Sequence, residues 1–140
     1  MTVESQTGDV HPNVAFVVLA HERLEAGDLA AINEMFADDI EWHEFGASPL
    51  AGVYRGRNAV MEFWKVYFTA AGAGFSQDIL SISANDEYVS SIVALAGQKP
   101  GLDFSQNAID VMRMEDGRIA EFWRYYEDLG VAESFFAHEA

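Results

Sequence analysis

The chain has 140 residues, half of them hydrophobic and 13% aromatic, the size and composition of one globular domain with a single core. Eight basic against 23 acidic residues give a formal net charge of −15, a field that repels phosphate backbones and anionic lipid, so no nucleic acid and no membrane is expected as a partner. Cysteine is absent, which excludes disulfides and thiolate metal sites; without a long apolar run or a signal-peptide pattern, a cytoplasmic address is expected.

In chain order, residues 1–10 read as a flexible leader and 11–140 as a single domain. Within "HPNVAFVVLAHERLEAGD", Val14, Val17, Val18, His21 and Leu24 recur at helical spacing, and Gly27 marks the stop. Asp28 suits the cap of a shorter helix over "LAAINEMFAD". A strand opens in "DIEWHE" and runs into a Gly/Pro loop, "GASPLAGVYRG". A third helix, "NAVMEFWKVYFTAA", carries Val60, Phe63, Trp64 and Tyr67 at three- and four-residue steps and ends at "GAG". From there the period changes to two. "FSQDILSIS", "EYVSSIVALAG", "DFSQNAIDVMRM" and "RIAEFWRYYED" read as four strands, joined through "AND", "QKPG" and "EDG" as antiparallel hairpins. The tail "VAESFFAHE" reads as a closing helical turn. Helices first and sheet afterwards predict an α+β fold, with helices packed on one face of a curved antiparallel sheet.

Strand alternation singles out the chemistry. In "NAIDVMRM", Ala108, Asp110, Met112 and Met114 share one face, so a carboxylate sits among apolar side chains, where it must be paired or functional. In the last strand Phe122, Arg124, Tyr126 and Asp128 share a face, with Trp123 and Tyr125 on the other. The "EDG" hairpin lets Arg124 approach Asp110. Such a pair is either a structural ion pair or the polar floor of an apolar ligand cavity. Trp42 and Glu44 share one face of the first strand and His43 takes the other. Glu44 is either a surface residue or, beside Trp42 in a cavity, a carboxylate with a raised pKa suited to proton abstraction. Phe63, Trp64, Tyr67 and Phe68 form an aromatic helix face that can be core, ligand wall or both. His11, His21 and His138 show no ligand spacing with one another, and no metal is predicted. There is no Gly-rich phosphate loop and no G-x-S-x-G elbow, and no cofactor is expected.

The stretches "EAGDLAAINEMFADDIEWHEFGASPLAGVYRGRNAVMEFW" and "NAIDVMRMEDGRIAEFW" resemble the first half and the C-terminal hairpin of SnoaL-like and ketosteroid-isomerase-like proteins, within the nuclear transport factor 2-like superfamily. The resemblance implies a cone: a strongly bent sheet closed over by helices around an apolar cavity. It places the isomerase's aspartate base at Glu44 and its oxyanion-hole aspartate at Asp110. The isomerase's oxyanion tyrosine falls at Ala20, and the SnoaL-like cyclases' acid/base aspartate falls at Arg124, so neither catalytic set is complete. An Arg–Asp pair in such a cavity is also similar to limonene epoxide hydrolase.

By strand parity, the resemblance implies a wall of Trp42, Glu44, Asp110, Phe122, Arg124 and Tyr126, with Phe16, Val17 and Ala20 from the first helix and Phe63 and Tyr67 from the third. Ile109, Val111, Trp123 and Tyr125 are then expected on an outer face covered in a homodimer. The expected activity is cofactor-independent acid–base chemistry of the isomerase or cyclase type on an apolar, oxygenated small molecule, polyketide-, steroid- or terpenoid-like. Glu44 would be the base, assisted by His43, with Arg124 and Asp110 stabilising developing negative charge. A non-catalytic binding protein, or an epoxide hydrolase or dehydratase on the same fold, stands as the alternative.

Overall fold

A computed structural model describes residues 2–3 and 10–138. Four helices and seven strands follow in the order β1 (Thr2–Val3), α1 (Pro12–Glu25), α2 (Leu29–Met35), β2 (Phe36–Glu44), β3 (Gly52–Arg55), α3 (Arg57–Ala71), β4 (Ser76–Ala84), β5 (Tyr88–Lys99), β6 (Leu102–Glu115), β7 (Arg118–Tyr126) and α4 (Leu129–Ala137). They form the expected α+β architecture, one curved sheet with strand order β1-β4-β5-β6-β7-β2-β3. The leader expected over residues 1–10 lies, apart from Thr2–Val3 and Val10, outside the described residues.

Local chemistry sets the helix ends. At α1, Pro12 occupies the first turn and His11 Nδ1 accepts the Asn13 backbone N–H at 3.0 Å. Gly27, at φ +74°, takes the left-handed conformation that stops it. Asp28 caps α2 by accepting from Ala31 N. That helix ends at Met35, three residues before the expected Asp38. Phe36 is already extended, and its ring, 2% exposed, packs edge-on against Trp64 at 5.5 Å. A further helical turn would carry that ring away from the core. The expected loop 46–56 also contains a strand. Gly52–Arg55 pairs antiparallel with β2, too short and too exposed to show a period of two.

The apolar stripe of α3, Val60, Phe63, Trp64, Tyr67 and Ala71, is buried, and it lies against the concave face of the sheet. α4 closes one end of the core. Asp128 caps its N-terminus through Val131 N, and Lys99 Nζ donates to the backbone oxygens of Phe135 and His138 at the other end. Phe135 lies against Phe104 at 4.5 Å and also against Gly97, where a Cβ would come within 2.5 Å of the ring. The tail aromatics Phe135 and Phe136 are therefore core residues.

β2 joins β7 in parallel, and this is what builds the site. With β6 and β7 antiparallel, the register sets Ser91, Asp110, Arg124 and Glu44 side by side on β5, β6, β7 and β2. All four are buried. One transverse row of polar residues thus crosses the concave face, flanked by apolar rows such as Met112, Phe122 and Trp42.

Candidate active site

Between the helices and this face lies a cavity of about 90 Å³. Its walls are largely aromatic. Trp42 stacks on its cross-strand partner Phe122 at 3.7 Å and 13°, and meets Trp64 edge-on at 5.4 Å and Phe63 at 6.1 Å. Val17 and Ala20 contribute from α1. The polar groups that reach it are Glu44, Asp110, Arg124, Tyr67, Gln77, Ser91 and His21.

Asp110 and Arg124 face each other directly across β6 and β7 in a two-pronged ion pair, Nε to Oδ1 at 2.6 Å and Nη2 to Oδ2 at 2.7 Å. Asp110 therefore accepts on both oxygens and does not serve as a neutral donor. Arg124 Nη1 donates to Tyr67 Oη at 3.2 Å and to Gln77 Oε1 at 2.7 Å. Four of the guanidinium's five N–H groups are thereby committed. Burial opposes its charge, but the Asp110 carboxylate outweighs that penalty and holds Arg124 well above its ordinary pKa.

From Arg124 the hydrogen bonds run in one direction, as valence requires. Tyr126 Oη donates its proton to Glu44 Oε2 at 2.7 Å. At 2.9 Å from Tyr67 Oη it can then only accept, so Tyr67 is the donor. Tyr67 accepts in turn from Arg124. The chain Arg124→Tyr67→Tyr126→Glu44 leaves neither tyrosine a proton for a ligand. Burial pushes the Tyr67 hydroxyl up to about 12 and that of Tyr126 higher still, so both remain neutral donors.

Glu44 is 8% exposed. Burial raises its carboxyl to about 7, against the lowering pull of the Tyr126 hydrogen bond and the Arg124 charge. Its hydrogen bond among the described residues is made through Oε2, which leaves Oε1 without a partner there. A carboxylate at the edge of an aromatic cavity, half ionised near neutrality and with one oxygen free, can take and return a proton.

The geometry brings together most of the residues singled out in the sequence: Glu44, Asp110, Arg124, Val17, Ala20, Trp42, Phe63, Tyr67 and Phe122 all line the cavity. Three do not. Phe16 is half-buried and packs on the core beside it. Tyr126 stands behind Glu44 and Tyr67, linked to the cavity lining through its hydrogen bonds to both. His43 points from the opposite face, as odd strand parity demands. It stacks on Trp123 at 5.2 Å and meets Glu121 at 2.9 Å, so it cannot assist Glu44 directly.

On that outer face Glu41, His43 and Glu121 bring ligand atoms within 4.8 Å of one another. Arg55 already holds Glu41 at 3.0 Å and Arg113 holds Glu121 at 3.1 Å, so cationic charge is supplied from within the chain. Sequence alone does not single out Gln77 or Ser91 as site residues, and it places His21 only on the buried stripe of the first helix, not at the cavity that all three line. Ser91 had a signal: it shares its face with Val89, Val93 and Leu95, a lone hydroxyl in an apolar row.

The architecture is that of the nuclear transport factor 2-like fold. The chain superposes on Bal32a from a soil-derived mobile gene cassette with a TM-score of 0.83, at 23% identity over 89% of this chain and 96% of that one. It superposes on TerC, co-crystallised with polyporic acid, with a TM-score of 0.80, at 17% identity over 91% of this chain and 100% of that one. A candidate polyketide cyclase from Xanthomonas campestris pv. campestris matches with a TM-score of 0.69, at 18% identity over 90% of this chain and 97% of that one. The SnoaL-like domain model matches residues 17–122. The chain belongs to the SnoaL-like domain family. Among its relatives is the uncharacterised protein Rv0034 of Mycobacterium tuberculosis, 30% identical over 112 residues, which are 79% of this chain and 86% of that protein. No helix among the described residues is long and apolar enough to cross a membrane.

A raised carboxyl also links stability to pH. Folded Glu44 keeps its proton to about pH 7, whereas the unfolded chain releases it near the ordinary 4.5. The folded state then binds the extra proton, so the contribution of Glu44 is full below 4.5 and is lost as pH rises through 7. The loss is on the order of 3 kcal/mol. In denaturant unfolding between pH 4.5 and 7 the wild type is expected to lose about 3 kcal/mol more stability than Glu44→Gln; parallel curves would contradict the assignment.

Proposed function

We propose that this chain is a cofactor-independent acid–base enzyme of the isomerase or cyclase type. Its substrate is an apolar, oxygenated small molecule of the polyketide, steroid or terpenoid kind. The observation that carries the reading is Glu44: a buried carboxyl raised to about 7, set in an aromatic cavity with one oxygen unpartnered. Glu44 takes a proton from the carbon next to a carbonyl and returns it elsewhere on the substrate. The Tyr126 hydroxyl keeps the carboxylate oriented through this cycle. Arg124, fixed by Asp110, supplies the positive field that favours the enolate, and its one uncommitted N–H can meet the enolate oxygen. The cavity's size favours compact members of those substrate classes. At roughly 10–15 Å³ for each water-sized group, about 90 Å³ suits a single ring rather than four fused ones.

A binding protein without turnover is the competing reading, favoured by how fully Asp110 and Arg124 satisfy each other. Deuterium exchange separates the two. In D₂O at pH 7, the wild type is expected to accelerate α-proton exchange of compact cyclic ketones, and Glu44→Gln to lose 10²- to 10⁴-fold of that acceleration, the usual worth of a positioned base. Equal exchange in the two proteins would remove Glu44 as the base.

The reading includes a homodimer formed through the outer sheet face. Ile109 and Tyr125 are each 48% exposed there and Ile92 is 41% exposed, an apolar surface that a second copy would cover. Analytical ultracentrifugation at micromolar concentration is expected to give twice the 15.5 kDa chain mass; a monomer mass would refute the dimer.

A further inference from the structure

The polar groups facing the cavity divide into those already spent within the protein and those that are not. Tyr67 gives its proton to Tyr126, and Arg124 has four of its five N–H groups in use. On β2, Glu44 Oε1 is free. On the other side of the sheet two groups are also free, and both line the cavity. Ser91 on β5 is 3% exposed and lines the cavity, and its Oγ makes no hydrogen bond among the described residues. Gln77 on β4 must turn its oxygen to Arg124, because a guanidinium only donates. Its amide NH₂ is therefore presented elsewhere, with no partner among the described residues.

In strand order the Asp110–Arg124 pair stands in the middle, with Glu44 on one flank and Ser91 and Gln77 on the other. The fully buried polar atom left without a partner among the described residues is Trp42 Nε1, on the Glu44 strand; Ser91 and Gln77 instead line the cavity, where a ligand that covers their polar atoms without pairing them costs free energy. An apolar substrate touching only Glu44 would leave the far wall unsatisfied. We propose that the β4–β5 wall is a second polar station, where Ser91 Oγ–H and Gln77 Nε2–H donate to a second oxygen of the substrate. The favoured ligand is then a compact ring with an oxygen at each end, one carbonyl beside Glu44 and the other at this wall. This rests on the acid–base reading for its Glu44 end only.

Two probes of eight non-hydrogen atoms separate the ends: cyclohexane-1,4-dione, with an oxygen at each pole, and 4-methylcyclohexanone, with a methyl in place of one. Quenching of tryptophan fluorescence reports occupancy, because Trp42 and Trp64 line the cavity. Wild type is expected to bind the dione roughly three- to tenfold more tightly, the worth of one hydrogen bond in water. Ser91→Ala removes the hydroxyl. Gln77→Glu keeps an acceptor for Arg124 and removes both amide donors. Each is expected to cut the dione preference about threefold or more while leaving 4-methylcyclohexanone affinity unchanged. Equal wild-type affinities, a preference untouched by both variants, or no binding of either probe would overturn the station. The wild-type ratio stands even where a variant fails to fold. Preference for the dione together with Glu44-independent exchange would sink the base and leave the station; Glu44-dependent exchange without that preference would do the reverse.

Discussion

The interaction on which the rest of the site depends is the buried pair of Asp110 and Arg124. Neither side chain is more than a tenth exposed. Removing two charges from water costs several kcal/mol each, and only close, two-pronged geometry with further hydrogen bonds offsets it. Arg124 meets that condition through Asp110, Tyr67 and Gln77. Once its head is fixed, the direction of every proton in the Tyr67–Tyr126–Glu44 chain follows. The pair is thus less a source of stability than a reference point from which a neutral-range carboxyl is oriented.

That reference point exists because four strands share a register. Ser91, Asp110, Arg124 and Glu44 fall in one row, and a slip of one residue in any strand would turn its member to the outer face. The apolar neighbours on the concave side make such a slip costly, since they would be exposed together with it. Fold and site are in this sense specified by the same alternation. Likeness to the solved structures carries the architecture, and the polar row is a property of this chain's own residues and register.

How far the sequence could be read follows from which interactions are local. The stripe on α3 and the alternation of β6 and β7 are local, and they gave the facing of Asp110 and Arg124 correctly. The end of α2 lies earlier than the sequence predicts because Phe36 is held by Trp64, a contact across the fold that overrides helical propensity. The four residues of β3 carry too little pattern to show a strand. Parity alone separates His43 from Glu44, and adjacency in sequence does not make it an assistant. Tyr126 was placed on the correct face, but its role as the donor behind Glu44 depends on an 82-residue separation that no spacing rule reaches. Ser91 stands out in sequence only as a lone hydroxyl in the apolar row of β5, and Gln77 looks ordinary in its strand. Both become informative once the partners they lack are counted.

The most direct measurement is a double-mutant cycle on the ion pair by denaturant unfolding, using Asp110→Leu, Arg124→Met and the two combined. If the pair is buried and mutually dependent, each single variant loses about 3–5 kcal/mol by stranding a charge, and the double variant loses far less than the sum. Additive losses, agreeing to within about 0.5 kcal/mol, would mean that the two side chains do not depend on each other, and the account of the site built outward from them would fall.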